Sequence, residues 1–210
     1  AWFLAKIKRV PFIFELRDIW PASITAVGAM KSKWVIKTLE KIELFMYRQS
    51  KLIISVTNSF KTDLYNRGIN EDKIKVILNG VDLNQYKPTQ KKDSYYINKF
   101  DLQDKFVVGY IGTHGLAHAL DNIIDAAEKI QKNDNIRFVF AGGGADRKRL
   151  ERVAQERNLT NIVMIPRQPR EKMPNLWSIC DISLVNLKNT PLFSTVIPSK
   201  IFESIADLIE

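Results

Sequence analysis

Residues 106–118 read FVVGYIGTHGLAH, a short apolar run followed at once by a loop with two glycines and two histidines. Similar apolar, β-branched runs occur at residues 10–16, 52–57, 74–78, 136–141, 162–165 and 182–185. Clean alternation of apolar and polar residues is missing from these runs, which is typical of strands buried on both faces. Helix-period segments lie between most of them, at residues 33–49, 58–67, 121–132, 146–157 and 171–179. The sequence therefore predicts an α/β fold with parallel sheets covered by helices.

A change in composition divides the strand–helix pattern into two blocks. The sequence Tyr86-Lys87-Pro88 is followed by a polar, lysine-rich stretch, and the alternation of strands and helices then restarts. Such polar stretches are common at domain boundaries. We therefore predict a first domain over residues 1–88, a linker over 89–104 and a second domain over 105–210.

The composition favours an anionic partner. The 210 residues contain 32 Lys and Arg against 23 Asp and Glu, a formal net charge of +9. This charge fits phosphorylated small molecules, an anionic membrane or nucleic acid, but no RNP, helix-turn-helix or zinc pattern supports nucleic acid. The single cysteine, Cys180, lies in an apolar run and has no partner in this sequence, which favours a buried thiol and a reducing, cytoplasmic compartment.

The loops that directly follow the predicted strands are where ligands bind in open α/β sheets. They occupy residues 79–82 (NGVD), 112–118, 142–146 (GGGAD) and 166–169 (PRQP). Each is weak evidence alone, because a glycine cluster after a strand is also typical of a tight connection. His114 and His118 have the spacing of a metal pair on a helix, yet no third ligand lies nearby, so we predict no metal site.

Residues 195–203 read TVIPSKIFE and carry the signals of a helix start. Pro198 and Ser199 are typical of the first positions of a helix, whose N-terminus favours anions. Lys200 adds a cation there, so the segment predicts a phosphate or diphosphate site. The Glu203 carboxylate, one turn on, could accept hydrogen bonds from sugar or ribose hydroxyls.

The order of these segments resembles the retaining glycosyltransferases of family 4, which have the GT-B fold. The resemblance is carried by residues 73–82 (KIKVILNGVD), 86–88 (YKP), 138–144 (FVFAGGG) and 198–203 (PSKIFE), and it extends from about Phe12 to the end. It implies two facing Rossmann-like domains, of which residues 1–88 would be the C-terminal half of the first. We therefore expect both ends of the fold to lie outside this sequence.

The resemblance implies a UDP- or GDP-linked sugar as substrate and no cofactor. The donor-binding residues that it implies are Gly112, His114, Gly115, His118, Gly143, Arg167, Gln168, Pro198 and Ser199. Lys200 would stabilise the departing diphosphate, and Glu203 would orient the donor as the second glutamate of the family's E-x7-E motif. Arg17 and Asp18 would lie on the acceptor side, although a structural ion pair explains them equally well.

This sequence departs from the family pattern at three positions. The first glutamate of the E-x7-E motif is replaced by Thr195, and the usual arginine and lysine after Gly112 are replaced by Thr113 and His118. Because an ordinary histidine is mostly neutral at pH 7, we expect Lys200 and backbone amides to carry more of the phosphate charge.

The function that the resemblance implies is transfer of a hexosyl group to a saccharide or polyprenyl-linked acceptor. Within that family the sequence looks most like bacterial enzymes that build surface polysaccharides such as lipopolysaccharide O-antigen, especially those that transfer N-acetylated deoxysugars such as N-acetylfucosamine. A sugar-nucleotide-binding fragment without activity and a GT-B epimerase are the alternatives. Residues 30–47 also form a basic amphipathic segment, which is typical of a helix on an anionic membrane, here the inner face of the bacterial plasma membrane, or of a core helix with a solvated lysine face.

Overall fold

The computed structural model describes residues 1–87 and 91–208, and side chains up to residue 206. The chain divides into two compact units. The first contains Ala1–Asn79 and Asn189–Ile197, and the second contains Gly80–Lys188 and Pro198–Glu210.

The first unit is a parallel sheet with flanking helices. Its elements are α1 (Trp2–Lys8), β1 (Ile13–Leu16), α2 (Ala22–Ala26), α3 (Lys33–Gln49), β2 (Leu52–Ser55), α4 (Asn58–Asn66) and β3 (Ile74–Val76). The strands pair in the order β1-β2-β3, all parallel. Ile53, Phe60 and Leu64 are fully buried at its centre, and the distant segment 189–197 adds Leu192 and Val196 to the same core.

A buried polar contact joins α3 to α4. The Tyr47 hydroxyl donates to the Glu43 carboxylate at 2.6 Å, and the Arg67 guanidinium pairs with the other oxygen of that carboxylate. Burial, with the neighbouring Glu43 carboxylate, raises the pKa of Tyr47, so its hydroxyl stays a donor. A buried carboxylate that is hydrogen-bonded and paired is tolerated in a core, and here it fixes the two helices against each other.

The second unit is a four-stranded parallel sheet. Its elements are α5 (Ser94–Lys99), β4 (Phe106–Ile111), α6 (Asp121–Lys129), β5 (Ile136–Gly142), α7 (Arg147–Glu156), β6 (Ile162–Pro166), α8 (Met173–Trp177), β7 (Ile182–Ser183) and α9 (Lys200–Leu208). The strand order is β6-β5-β4-β7, so β5 and β6 lie on one side of β4 and β7 lies on the other. This change of side makes a crevice beyond the carboxyl ends of the strands. The predicted α/β fold with two parallel sheets is confirmed.

Both faces of this second sheet are covered, as the unalternating strand sequences predict. Val107 and Ile111 of β4 belong to a core cluster with Leu176 and Trp177 of α8. On the other face, Tyr110 and Phe140 join a cluster with Ile124 of α6 and Leu150 of α7. Successive residues of one strand therefore enter different cores, as the pleat requires.

The stretch predicted as a linker, 89–104, differs in the structure. Residues 91–104 belong to the second unit and contain α5, whose Tyr96 and Ile97 are buried in its core. The Asp93 side chain caps this helix by accepting from the Tyr96 N–H at 3.1 Å. The lysines at positions 91, 92 and 99 dominate the composition, but the tyrosine and isoleucine between them decide the fold of the segment. Residues 89 and 90 of the predicted linker lie outside the described residues.

Three smaller differences concern helices. The helix predicted over 171–179 is a 3-10 turn, Arg170–Lys172, followed by α8. Pro174 lies in the first turn of α8, where its missing N–H costs no hydrogen bond. The helix predicted over 121–132 ends at Lys129, and α1 had no prediction at all. In the part of the chain that the structure describes, no helix combines the length and apolar character that crossing a bilayer requires.

Replacing Gly109 with alanine should destabilise the second unit. A Cβ on this β4 residue would lie 2.2 Å from the Cys180 Sγ, so the added methyl overpacks the core at a cost of about 1–3 kcal/mol. Gly80→Ala, where no atom lies within 4 Å of the new Cβ, is the matched control and should stay near wild type in urea unfolding. Adding Cys180→Ala should recover part of the lost free energy of unfolding; a double variant no more stable than Gly109→Ala contradicts this account.

Candidate functional site

A cavity of about 570 Å³ opens in the second unit beyond the carboxyl ends of β4, β5 and β6. The loops after these strands contribute glycines to its lining, and several polar or charged residues line it as well. The lining residues are Tyr86, Gly112, Thr113, Ala141, Gly142, Gly143, Gly144, Arg167, Gln168, Arg170, Met173, Leu176 and Glu203. The loops that the sequence places after successive strands thus converge on one space.

Glycine is required where two of these loops touch. Gly142 has φ +145°, and a Cβ there would lie 1.9 Å from the Gly112 carbonyl oxygen. Gly144 has φ +150°, and its Cβ would lie 2.4 Å from the His114 carbonyl oxygen. The Gly112 N–H donates to the Ala141 carbonyl at 2.8 Å, so the backbones pack directly on each other. Only residues without a Cβ allow this approach.

Arg147, at the start of α7, holds the ends of two strands together. Its Nη1 donates to the Gly142 carbonyl at 2.5 Å and to the Ile165 carbonyl at 2.7 Å. Its other nitrogen pairs with Glu151 one turn along the helix, at 2.6 Å. This clamp fixes where the loops after β5 and β6 begin. No motif marks this arginine in the sequence, because its second acceptor, the Ile165 carbonyl, lies 18 residues further along the chain.

Lys200 is buried beside the cavity without a hydrogen-bond partner for its ammonium group. The residue is 9% exposed, and Nζ lies 3.7 Å from the centroid of the Tyr110 ring. A Cβ on Gly112 would be 2.9 Å from Nζ, so the ammonium lies directly behind this lining residue. Burial lowers the pKa of Lys200 to about 7, against a smaller opposing effect of Glu203. An unpaired cation at this depth is the arrangement expected of a group that awaits an anion.

Glu203 lines the cavity, one turn along α9 from Lys200. Burial raises the pKa of the Glu203 carboxyl, while donors on Trp177 and Tyr86 and the charges of Arg170 and Lys200 act in the opposite direction. Because Glu203 lines the cavity, its carboxyl oxygens can accept hydrogen bonds from a ligand there.

The two histidines of the 112–118 loop do not line the cavity. His114 is fully buried, and neither of its ring nitrogens has a hydrogen-bond partner in the described structure. Burial, reinforced by the charges of Arg147 and Lys200, lowers the pKa of His114 to about 4. Burial and Lys200 also lower the pKa of His118. Both rings are therefore neutral at pH 7, so neither supplies the missing family cation in this state.

The structure brings together part of the predicted site. Among the predicted residues, those that line the cavity are Gly112, Gly143, Arg167, Gln168 and Glu203. Those that do not line it are His114, Gly115, His118, Pro198, Ser199 and Lys200, and their roles stay predictions. Sequence reasoning assigned no site role to Arg170, which lies in no motif, or to Tyr86, which was noted only as part of the YKP segment.

Arg17 and Asp18 lie in the first unit. Arg17 Nε donates to the Glu15 carboxylate at 2.7 Å in an exposed ion pair, which is the structural alternative that the sequence left open. Among the described residues, no group of three or more His, Cys, Asp or Glu side chains is placed to hold a metal ion.

Comparison with known families identifies the chain. Residues 94–205, which include every residue that lines the cavity except Tyr86, match the family model described as glycosyl transferases group 1. The chain belongs to this family. Residues 1–85 match a second model, described as glycosyltransferase family 4. Both matches agree with the resemblance carried by the strand-end motifs.

Curated relatives of this family member come from bacteria. WcaI of Escherichia coli K12, named for glycosyl transfer in colanic acid biosynthesis, is 34% identical over 110 residues, which are 52% of this chain and 26% of WcaI. WbjE of Pseudomonas aeruginosa, named as a glycosyltransferase, is 22% identical over 197 residues, which are 93% of this chain and 48% of WbjE. The chain therefore spans between a quarter and about half of the length of these relatives.

A solved structure confirms the GT-B fold. The Anabaena protein Alr3699/HepE, crystallised with UDP-glucose, superposes with a TM-score of 0.78 at 19% identity. The match covers 98% of this chain and 53% of HepE.

Replacing Lys200 with methionine should stabilise the protein in a pH-dependent way. The unfolded chain keeps the Lys200 proton up to a pH near 10.5, and the folded chain only up to about 7. The cost of burying the ammonium is therefore fully present below pH 7 and fades between pH 7 and 10.5. Lys200→Met should raise the free energy of unfolding by on the order of 3 kcal/mol at pH 6, and by progressively less above pH 7.

The measurement is urea unfolding of this variant and wild type from pH 6 to 10. Lys148→Met, which changes an exposed lysine on α7, is the control and should show no such trend. A Lys200→Met advantage that is absent, or that grows with pH, contradicts the burial of an unpaired ammonium.

Proposed function

We propose that the second unit binds a nucleotide-diphosphate sugar in the 570 Å³ cavity and that the complete protein transfers the sugar in surface polysaccharide biosynthesis. The observation that carries this proposal is the cavity beyond the carboxyl ends of a parallel sheet, lined by glycine backbone and by Glu203. Backbone that lies open to a ligand can approach phosphate oxygens closely, and a carboxylate can hold sugar hydroxyls. The family match over residues 94–205 supports the same function.

Three cations support a diphosphate as the charged part of the ligand. Arg167 and Arg170 line the cavity, and their guanidinium groups match phosphate geometry. The Lys200 ammonium lies behind Gly112, which has no side chain to separate the ammonium from the cavity. In the low dielectric of a buried site, this charge acts strongly over a short distance.

The proposed chemistry is a group transfer with retention of anomeric configuration, as in the family that the sequence resembles. An acceptor hydroxyl oxygen bonds to the anomeric carbon while the bond from that carbon to the diphosphate oxygen breaks. The diphosphate leaves with the electron pair, and the proton of the acceptor hydroxyl passes to a diphosphate oxygen. Lys200 and the two arginines stabilise the charge that develops on the leaving group, which is electrostatic catalysis.

We propose UDP as the nucleotide part of the donor, because HepE, which shares the fold, was crystallised with UDP-glucose. The sugar is a hexose, and an N-acetylated deoxyhexose such as N-acetylfucosamine is the specific version to test. The acceptor is a saccharide or a polyprenyl-linked saccharide. A donor panel of UDP- and GDP-sugars, with product anomers assigned by NMR, separates these choices and checks retention.

Two alternatives make different predictions in the same assay. A protein that binds UDP-sugars with no transfer to any acceptor is a binding protein and not a transferase. A protein that converts one nucleotide sugar into another with no acceptor present is an epimerase. Calorimetry with UDP and GDP, run beside the turnover assay, distinguishes these outcomes.

Removing the Lys200 charge should weaken donor binding and turnover. In the complete protein, we expect Lys200→Ala to weaken UDP binding about tenfold, since one ammonium–phosphate contact is worth roughly 1.5–3 kcal/mol. Lys148→Ala, the exposed control, should bind UDP like wild type. Unchanged affinity and rate in Lys200→Ala would rule out a role for this lysine in the donor site.

We also propose that the first unit contacts an anionic bilayer, where a lipid-linked acceptor would be found. The exposed surface of α3 combines the apolar Trp34, Ile42 and Phe45 with Lys37 and Lys41. These residues recur at helical spacing on one stripe, while Glu43 and Tyr47 occupy the buried side. The stripe is therefore not the core-facing side of α3.

Helix α1 extends this surface. Its Trp2 ring packs edge-on against Phe45 with centroids 5.0 Å apart. Phe3, Leu4 and Ile7 are 65%, 58% and 62% exposed, beside the exposed lysines at positions 6 and 8. Exposed apolar side chains flanked by lysines fit anionic lipid, with each lysine contributing about 1 kcal/mol near the surface.

Polar substitution on α1 should release the protein from anionic vesicles. Phe3→Asn combined with Ile7→Asn should lower binding to phosphatidylglycerol vesicles about tenfold, because two inserted apolar side chains are lost. Ile77→Asn, at an exposed isoleucine of the same unit, is the control and should bind normally. Equal binding of all three proteins, or no binding of wild type, would refute the membrane contact.

A further inference from the structure

We propose that Tyr110 is a positioning residue of the donor site, which holds both the Lys200 side chain and the loop that lines the cavity. The inference rests on the proposed function, because it assigns Tyr110 a task in binding the diphosphate. Tyr110 is the penultimate residue of strand β4, two positions before Gly112, and it is fully buried. Sequence motifs do not point to it.

The ring of Tyr110 is the surface on which the Lys200 ammonium rests. Nζ lies 3.7 Å from the ring centroid, well within the range of a cation–π contact. Among the described residues, no hydrogen-bond acceptor serves this ammonium. The ring therefore fixes the position of the Lys200 ammonium behind Gly112. A Cβ on Gly112 would be too close to Nζ for this position to be kept.

The hydroxyl of Tyr110 holds the loop on the other side of Gly112. It donates to the Thr113 carbonyl at 2.8 Å, and Thr113 lines the cavity. Burial raises the pKa of Tyr110, so the hydroxyl remains a donor throughout the working pH range. One side chain thus fixes the cation and the backbone that separates it from the ligand.

A purely structural explanation needs only the ring. Tyr110 belongs to an apolar cluster with Phe138 and Phe140, where a phenylalanine would fill the same space. The hydroxyl and the ammonium contact are additional, and both point toward the cavity loop. They predict losses in diphosphate binding that a core-filling role does not.

The first experiment compares UDP with uridine, which lacks the diphosphate. We expect Tyr110→Leu in the complete protein to weaken UDP binding about tenfold, since the cation–π contact and the hydroxyl bond are both lost. Uridine affinity should stay within twofold of wild type. Phe138→Leu removes a ring from the same cluster without touching Lys200 and should leave UDP affinity unchanged. Equal weakening of UDP and uridine would overturn the proposal, because it would indicate general damage to the cavity.

The second experiment is a double-mutant cycle. If Tyr110 acts through Lys200, the effect of Tyr110→Leu on UDP affinity should shrink to a few-fold or less in a Lys200→Met background. Additive losses would overturn the positioning role. Tyr110→Phe keeps the fold and the ring and should lose only about two- to fivefold of UDP affinity, as one hydrogen bond predicts. A Phe variant as weak as Tyr110→Leu would likewise contradict the assignment.

Wild-type binding separates the two levels of inference. If wild type binds neither UDP nor GDP, the proposed function fails and the role of Tyr110 fails with it. If wild type binds UDP and the Tyr110 variants bind it equally well, only the role of Tyr110 fails.

Discussion

Two carbonyl oxygens determine the shape of the cavity. Those of Gly112 and His114 occupy the space that side chains at positions 142 and 144 would need, at 1.9 and 2.4 Å. The loops after β4 and β5 can therefore close on each other only as bare backbone. This contact leaves the cavity above it lined by backbone, and it places Gly112 between the cavity and the Lys200 ammonium.

The packing of these two loops also determines which of the buried groups carry charge. Water is excluded below the loops, so His114 is neutral there and Lys200 holds its proton only weakly, with pKa values of about 4 and 7. An incoming diphosphate would reverse the balance at Lys200, because a nearby anion favours the protonated amine. Binding would then take up protons near neutral pH. Arg167 and Arg170, exposed at the cavity wall, complement the buried lysine.

The sequence predicted the sheets and the convergence of the loops because both depend on local patterns. Apolar runs identify buried strands, and parallel order brings their carboxyl ends to one edge. The bond from Arg147 to the Ile165 carbonyl and the contact of the Tyr110 ring with Lys200 join separate segments of the chain, which leave no periodic signal. The linker prediction followed the lysine-rich composition of the segment, whereas the burial of Tyr96 and Ile97 decides how it folds.

The missing family cations after Gly112 have a structural consequence. With Thr113 and His118 in their places, residues 113–118 carry no permanent charge. Burial lowers the pKa of both histidines in this loop, so their rings are neutral at pH 7. If the cavity binds a diphosphate as we propose, the positive charge beside it comes from Arg167 and Arg170, which line the cavity, and from Lys200 behind Gly112. A site built in this way should tolerate loss of one arginine better than loss of the buried lysine, since water can replace an exposed cation but cannot reach the buried one.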